Sequence, residues 1–367
     1  MAEKAIRLGG ESTAGAIVSA VDSLYPEHTF EDKEFALKHN DDEISVDTNF
    51  AAQNFWKEAL IRFFNKKSAV LGLILIVVIV LLAVFGPGMN SYTYSGQDLS
   101  QKNFAPRVPG IERLGILDGS EKMSTTTGSK SVNAYVEKGK DDVYYWFGSD
   151  LYGRDIWTRT WEGARVSLII AVAAAVIDMV IGMSYGLISG YFGGRVDMVM
   201  QRFLEVANGI PRLVIVTLLL LVLQPGMVTI IFALMLTEWV GMSRIARAEM
   251  LKLKDQEFVL ASRTLGAGSF FIIFKEVLPN IIGPIITQVM FSIPTAIFTE
   301  AFLSFVGLGI PVPQCSLGSL ISELYNSFTT HPYQIIPPIV VMSLLMLSFN
   351  LVADGLREAL DPKMKSM

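Results

Sequence analysis

The sequence predicts an all-α membrane protein, with six transmembrane helices preceded by an amphipathic helix lying in the membrane interface. Three observations carry this reading. Of the 367 residues, 51% are hydrophobic and only 18% charged, far from the balance of an ordinary soluble domain. Six apolar segments each approach the roughly 20 residues needed to cross a bilayer core. Lys/Arg clusters recur beyond alternate segments, which assigns that side to the cytoplasm.

Residues 1–53 are polar, and the first fifty hold eleven Asp/Glu against four Lys/Arg. No basic start leads into an apolar core, so the segment reads as an acidic, mostly disordered cytoplasmic tail and not as a cleaved signal peptide. Residues 54–67 change character. Phe55, Trp56, Ala59, Leu60, Phe63 and Phe64 recur at helical spacing, while Lys57, Glu58, Arg62, Lys66 and Lys67 fill the other face. This is the interfacial helix, an elbow into the first span at residues 68–86. Gly86-Pro87-Gly88 stops that span.

Residues 87–160 form a long extracytoplasmic loop with a Ser/Thr/Gly/Lys-rich centre. The sequence leaves two readings open, a small subdomain or a flexible insert. Gly148 and Gly153 have the spacing of a phosphate loop, but Arg154 and Asp155 follow where Lys-Ser/Thr is needed. Asp155 repels phosphate, so nucleotide binding is rejected there. Arg154, Arg159 and Arg165 breach the positive-inside tendency, which long translocated loops tolerate.

The permease core, residues 161–358, carries five further spans at about 166–192, 200–223, 228–245, 281–306 and 335–356. Gly182, Gly186, Gly190 and Gly194 recur every four residues in the second span, a stripe that lets a neighbouring helix approach closely. Asp178 lies inside that span and Glu300 inside the fifth. Intramembrane carboxylates need partners or an aqueous lining, and a pathway role and a structural role both fit. Gly193 to Arg202 reads as a short cytoplasmic turn. Pro211 should kink the third span, and Pro284 and Pro294 should bend the fifth. Glu238 and Trp239 lie near the inner half of the fourth, and Trp239 reads as an interfacial anchor. Pro311 to Gln334 contains no Lys or Arg and stays outside, with a re-entrant scoop as one form. Residues 359–367 end the chain in the cytoplasm.

Between the fourth and fifth spans lies a polar, glycine-broken segment, residues 257–280, preceded by Arg244, Arg247, Lys252 and Lys254. It reads as two short helices about a turn. The first begins at Glu257, with Phe258, Leu260, Ala261 and Leu265 as a partial apolar face, and Gly266 caps it. Ser269 is placed as N-cap of the second helix, and Pro279 as an interruption before the next span. Phe270, Phe271, Ile273 and Phe274 form an apolar set too large to leave in water, and should face a membrane surface or a partner.

This segment resembles the cytoplasmic signature loop E-A-A-x3-G-x9-I-x-L-P of ATP-binding-cassette importer permeases. Ala261, Gly266, Leu278 and Pro279 match at the right spacing, whereas Leu260, Ser262 and Glu276 depart from Glu, Ala and Ile. Phe147-Gly148-Ser149-Asp150, Gly153-Arg154-Asp155 and Gly163-Ala164-Arg165 resemble the W-F-G-T-D-x2-G-R-D…G-A-R-x-S-L run of oligopeptide and dipeptide permease subunits. The run from Glu300 through Gly309 is similar to the same branch.

The resemblance implies the type I ABC importer permease fold, C-type in the oligopeptide/dipeptide branch, in the plasma membrane of a bacterium with both termini cytoplasmic. It implies that residues 257–280 are a coupling helix docking on an ATPase, with Glu257, Ala261, Ser262, Gly266, Ala267, Phe270, Phe271 and Pro279 as its site. Asp150, Gly153, Arg154 and Asp155 form the outer motif. The implied partners are a second homologous permease subunit, two ABC ATPase subunits, an extracytoplasmic peptide-binding protein, the peptide and membrane lipids, with no nucleic acid.

No GxxxxGK[ST] occurs, so the chain cannot be its own ATPase, and the resemblance implies a transport subunit and not an enzyme. It carries no cofactor of its own, and ATP and Mg belong to the partner ATPases. Cys315 is the single cysteine, and His28, His39 and His331 are scattered, so no catalytic or metal site is expected. The alternative is an ion-coupled secondary transporter working through Asp178 and Glu300. Peptide preference is left open, and close relatives in the resembled family carry nickel or other small solutes.

Overall fold

The computed structural model describes residues 55–125 and 128–360. The acidic tail and residues 361–367 lie outside the described residues. Helix α1, Phe55–Asn65, is separated from α2, Lys67–Phe85, by the extended residue Lys66. Phe63 is buried beside Ala69, Val352 and Ala359, so the elbow packs on the last helix of the bundle.

The long segment between α2 and the next span, predicted to lie outside, is a small folded unit. A hairpin pairs β1, Ser120–Thr125, antiparallel with β2, Gly128–Asn133. Beside it, Phe104, Tyr135 and Tyr145 make an aromatic core. The missing apolar periodicity has a physical reason: three rings from distant positions do the packing, which no local repeat reports.

Helix α3 spans Ile156–Ile177 and begins ten residues before the predicted span, because the Asp155 side chain caps its first turn. A π-helical turn, Asp178–Gly182, joins it to α4, Met183–Phe192. The predicted turn from Gly193 to Arg202 is corrected: the chain reverses at Gly193 alone and α5, Gly194–Gly209, follows directly. A 78° bend separates α5 from α6, Arg212–Val222. The bend falls at Pro211, which cannot continue the helical hydrogen bonding of α5.

Helices α7, Met227–Thr237, and α8, Trp239–Leu253, form one continuous span, longer than predicted. A Cβ on Gly182 would meet Trp239, on Gly186 would meet Ser243, and on Gly190 would meet Met250. Both series rise together, so α4 and α8 run parallel and end on the same side. The bent pair α5–α6 must therefore carry the chain back across. With it, the five long apolar helices become six crossings.

Trp239 is not an interfacial anchor. It is buried with Leu204 and Val240, edge-on to Tyr185, at the level of Gly182. The predicted reading failed because hydrocarbon and bundle interior are equally apolar in sequence.

Helix α9 spans Glu257–Thr264 and α10 Ser269–Phe271. A π-helical segment, Ile272–Val277, leads into α11, Leu278–Leu303. Two expectations are corrected here. Ser269 makes no side-chain cap, since Gly268 holds that position. Pro279 does not interrupt the helix but sits in the first turn of α11, where the widened π turn spares its ring the usual clash. A third π turn, Ser304–Leu308, ends the rod. The outer segment holds α12, Leu317–Tyr325, capped by Ser316, and α13, Ile336–Leu360, closes the bundle. The main core joins Ala83 of α2, Ile170 of α3, Leu234 of α7, Ile297 of α11 and Leu345 of α13.

Candidate functional site

Three groups of side chains hold the chemistry. The first is the loop after α8. Gly266 has φ +83°, and its N–H donates to the Arg263 carbonyl while that of Ala267 donates to Ser262, both at 3.0 Å. That is a left-handed helix stop, and glycine takes the conformation without a Cβ penalty.

Val259 is the buried residue of α9, with Ile272, Ile273 and Val277 completing the same core. Ile273 is thus removed from the predicted exposed set. The residues left outside are Phe258, Leu260, Leu265 (88% exposed), Phe270, Phe271 and Phe274. Phe270 and Phe274 lie parallel, with centroids 6.4 Å apart. Glu257, Ala261, Gly266 and Pro279 are exposed, and Ser262 and Ala267 partly so. The Arg263 guanidinium lies 5.5 Å from the Tyr191 ring centroid, tying the loop to α4.

The second group is the pair of intramembrane carboxylates, which the structure does not bring together into one site. Glu300 is fully buried and accepts from the hydroxyls of Ser316 at 2.5 Å, Ser304 at 2.7 Å and Ser167 at 3.3 Å. Ser167 also accepts from the Leu317 N–H. Glu300 thereby fastens the start of α12 to α3 and α11. Asp178 is buried at the π turn beside Ser292, and its Oδ1 has no partner among the described residues. Sequence reasoning missed the ion pair made by Glu238, which lies within electrostatic reach of Asp178. Arg212 at the head of α6 meets Glu238 at 2.7 Å and Thr299 at 3.2 Å.

The third group is the outer motif. Asp150 Oδ1 accepts from the backbone N–H groups of Tyr152 and Arg154, and Oδ2 from Arg154 Nε at 2.7 Å and Arg159 Nη1 at 2.8 Å. Both guanidiniums also donate to Glu323 on α12, Arg159 at 2.7 Å. Gly153 has φ +72° and a Cβ there would fall 1.9 Å from the Asp98 carbonyl oxygen. Asp155 accepts from Thr158 and from Asn90 at 2.7 Å. Burial pushes the Asp155 carboxyl up, against the pull of those bonds. For Glu323, burial raises the carboxyl, but the Arg159 and Arg154 guanidiniums outweigh it and hold it below the ordinary range. Glu323 was legible in one respect: it is the lone ionic residue of 311–334, opposite three unexplained arginines.

A bundle of long apolar helices with an exposed apolar loop between two of its spans is the architecture of a polytopic membrane permease. The chain belongs to the family of binding-protein-dependent transport system inner membrane components, whose model matches residues 182–366. A second model, the N-terminal TM domain of oligopeptide transport permease C, matches residues 54–106. The oligopeptide transport system permease protein OppC of Bacillus subtilis is 42% identical over 85% of this chain and 91% of its own length. The dipeptide transport system permease protein DppC of the same organism is 39% identical over 85% and 87%. OppC of Escherichia coli K12 is 33% identical over 85% and 92%. Among solved structures, the inward-facing MetNI methionine ABC transporter matches with TM-score 0.45 and 16% identity, over 54% of this chain and 94% of that one.

Proposed function

We propose that this chain is the membrane-spanning subunit of an ATP-driven importer of oligopeptides or dipeptides, forming half of the translocation pathway. The observation that carries the reading is the loop 257–274. It exposes Leu265, Phe270, Phe271 and Phe274 together at the end of the bundle that the Lys/Arg distribution assigns to the cytoplasm. A set of that size in water is a docking surface, and relatives named for oligopeptide and dipeptide transport supply the substrate class.

Two ATPase subunits dock on this loop and on its counterpart in a second, homologous permease subunit, and bind ATP and Mg themselves. An extracytoplasmic binding protein delivers the peptide on the opposite side. Closure of the ATPases moves α9 and α10 and so rocks the bundle between two states. The ion-coupled alternative has less support. Glu300 is enclosed by three hydroxyls that give it a structural occupation.

The experiment is co-purification in mild detergent, with ATPase activity assayed in the eluate. Leu265→Asp and Phe270→Asp change exposed side chains and should leave the fold intact while releasing the ATPases and abolishing peptide uptake. Retention of the ATPases and of uptake in both variants would refute the docking role.

A further inference from the structure

The Arg212–Glu238 pair is the most unusual charge placement in the bundle. Helix α6 runs eleven residues from Arg212 to its outer end at Val222. At about 1.5 Å per residue that is about 16 Å, half of a bilayer core about 30 Å thick. Glu238 lies eleven residues below Met227 on α7–α8, at a comparable depth. An ion pair therefore sits near mid-membrane.

Its two ends differ. The Glu238 side chain is 13% exposed, whereas that of Arg212 is 42% exposed. The chain just before it, Ile210 and Pro211, is the exposed break between α5 and α6. Neither feature belongs against lipid. A half-exposed guanidinium in hydrocarbon is costly, and irregular backbone at membrane depth survives only inside protein or along a water-filled cavity. This face of the bundle is therefore turned away from lipid, toward the pathway or toward the second subunit. Behind the pair, Asp178 adds a second buried carboxylate within electrostatic reach of Glu238. The acidic groups are recessed, and the group presented outward is cationic.

We infer that Arg212 is a recognition point in the translocation pathway for a carboxylate of the transported solute, with Glu238 as its partner when the pathway is empty. The inference rests on the peptide-import reading and deepens it by naming the peptide's C-terminal carboxylate as the group taken. The planar guanidinium can hold a carboxylate by two parallel hydrogen bonds while a third N–H stays on Thr299. Exchange of one carboxylate for another avoids leaving the arginine unpaired at mid-membrane, so the solute can both enter and leave.

The test uses the assembled complex with its binding protein in proteoliposomes, and trialanine and trialanine amide as probes. The ratio of their initial uptake rates is compared between the unaltered chain, Arg212→Gln, Arg212→Lys and the double variant Arg212→Gln/Glu238→Gln. The binding protein is the same throughout, so its own preference cancels. The acid-to-amide ratio should fall roughly tenfold in Arg212→Gln and in the double variant, the size of one charge-assisted hydrogen bond. Arg212→Lys keeps the charge but loses the planar fork, so its ratio should fall between those of the unaltered chain and Arg212→Gln. The double variant removes both charges, so it spares Glu238 a buried, unpaired state.

An unchanged ratio in the double variant overturns the assignment. So does loss of the second permease subunit from purified Arg212→Gln complexes, which would make Arg212 an intersubunit contact. An unaltered complex that hydrolyses ATP but moves neither peptide defeats the peptide reading, and this proposal with it.

Discussion

Arg159 and Glu323 stand 164 positions apart in the chain and meet at 2.7 Å. Arg159 is fully buried, and Asp150 occupies its other terminal nitrogen. With Arg154 completing the ring, two guanidiniums and two carboxylates close the extracytoplasmic unit, the head of α3 and α12 into one piece. The three outer arginines that offended the positive-inside pattern therefore have local work: two join this ring, and Arg165 donates to the carbonyls of Ala83 and Val84 at the end of α2.

Breaking the ring should be costly. Arg159→Ala leaves Asp150 and Glu323 with one guanidinium between them, and loss of one partner from a buried pair costs about 3–5 kcal/mol. The midpoint of thermal unfolding in detergent should fall by on the order of 10 °C.

The same ring predicts an acid response. The Glu323 carboxyl is held below its ordinary value of 4.5 because the two arginines outweigh burial. Its contribution is complete above the unfolded value and disappears as pH falls through the lower folded one. Stability of the unaltered chain should decline below about pH 5, and Glu323→Gln should flatten that decline. The difference between the two curves isolates Glu323 from Asp155, whose carboxyl burial shifts the other way.

The glycine stripe on α4 gives a paired prediction. A Cβ on Gly186 would fall 2.2 Å from the Ser243 carbonyl oxygen, whereas one on Gly241 meets nothing within 4 Å. Gly186→Ala should cost about 1–3 kcal/mol by forcing α4 and α8 apart. Gly241→Ala should be neutral or stabilising by up to about 1 kcal/mol, since alanine suits a helix interior better. Thermal midpoints of the two variants, measured side by side, check both.

Glu300 separates chemistry from shape. Glu300→Gln keeps an oxygen that the Ser167, Ser304 and Ser316 hydroxyls can reach, and uptake should survive at a reduced level. Glu300→Ala leaves those hydroxyls without their acceptor and should loosen α12, seen as faster protease cleavage in residues 309–316. Equal cleavage of both variants would argue against the fastening role.

Much of the architecture was legible in the sequence because a bilayer imposes length and polarity on every crossing. The six apolar segments, the elbow and the break at Pro211 all follow from that constraint. What was hidden depended on partners far away in the chain. Ile273 and Phe274 are adjacent apolar residues, yet one is buried and the other exposed, and only the π turn at Ile272–Val277 decides which. Trp239 reads as an anchor until Tyr185 is known to lie beside it. Glu323 had its signal, a lone charge in a segment without cations, but the arginines that answer it are more than 160 residues upstream. Arg212 gave no signal at all, since a single arginine beside a proline is ordinary anywhere except at mid-membrane.

The stretch from Ser269 to Leu308 runs as one helical span of forty residues, with π turns near each end and a kink at Gly307, where φ is +85°. At about 1.5 Å per residue it is a connecting rod about 60 Å long. Its lower end carries Phe270 and Phe274, and its upper end carries Glu300 and the seat of α12. Pro284 and Pro294 lie inside the rod without ending the helix. On the proposed coupling reading, a tilt imposed on the phenylalanines reaches α12 through this span, with the two π turns as the joints where the stroke is absorbed or redirected.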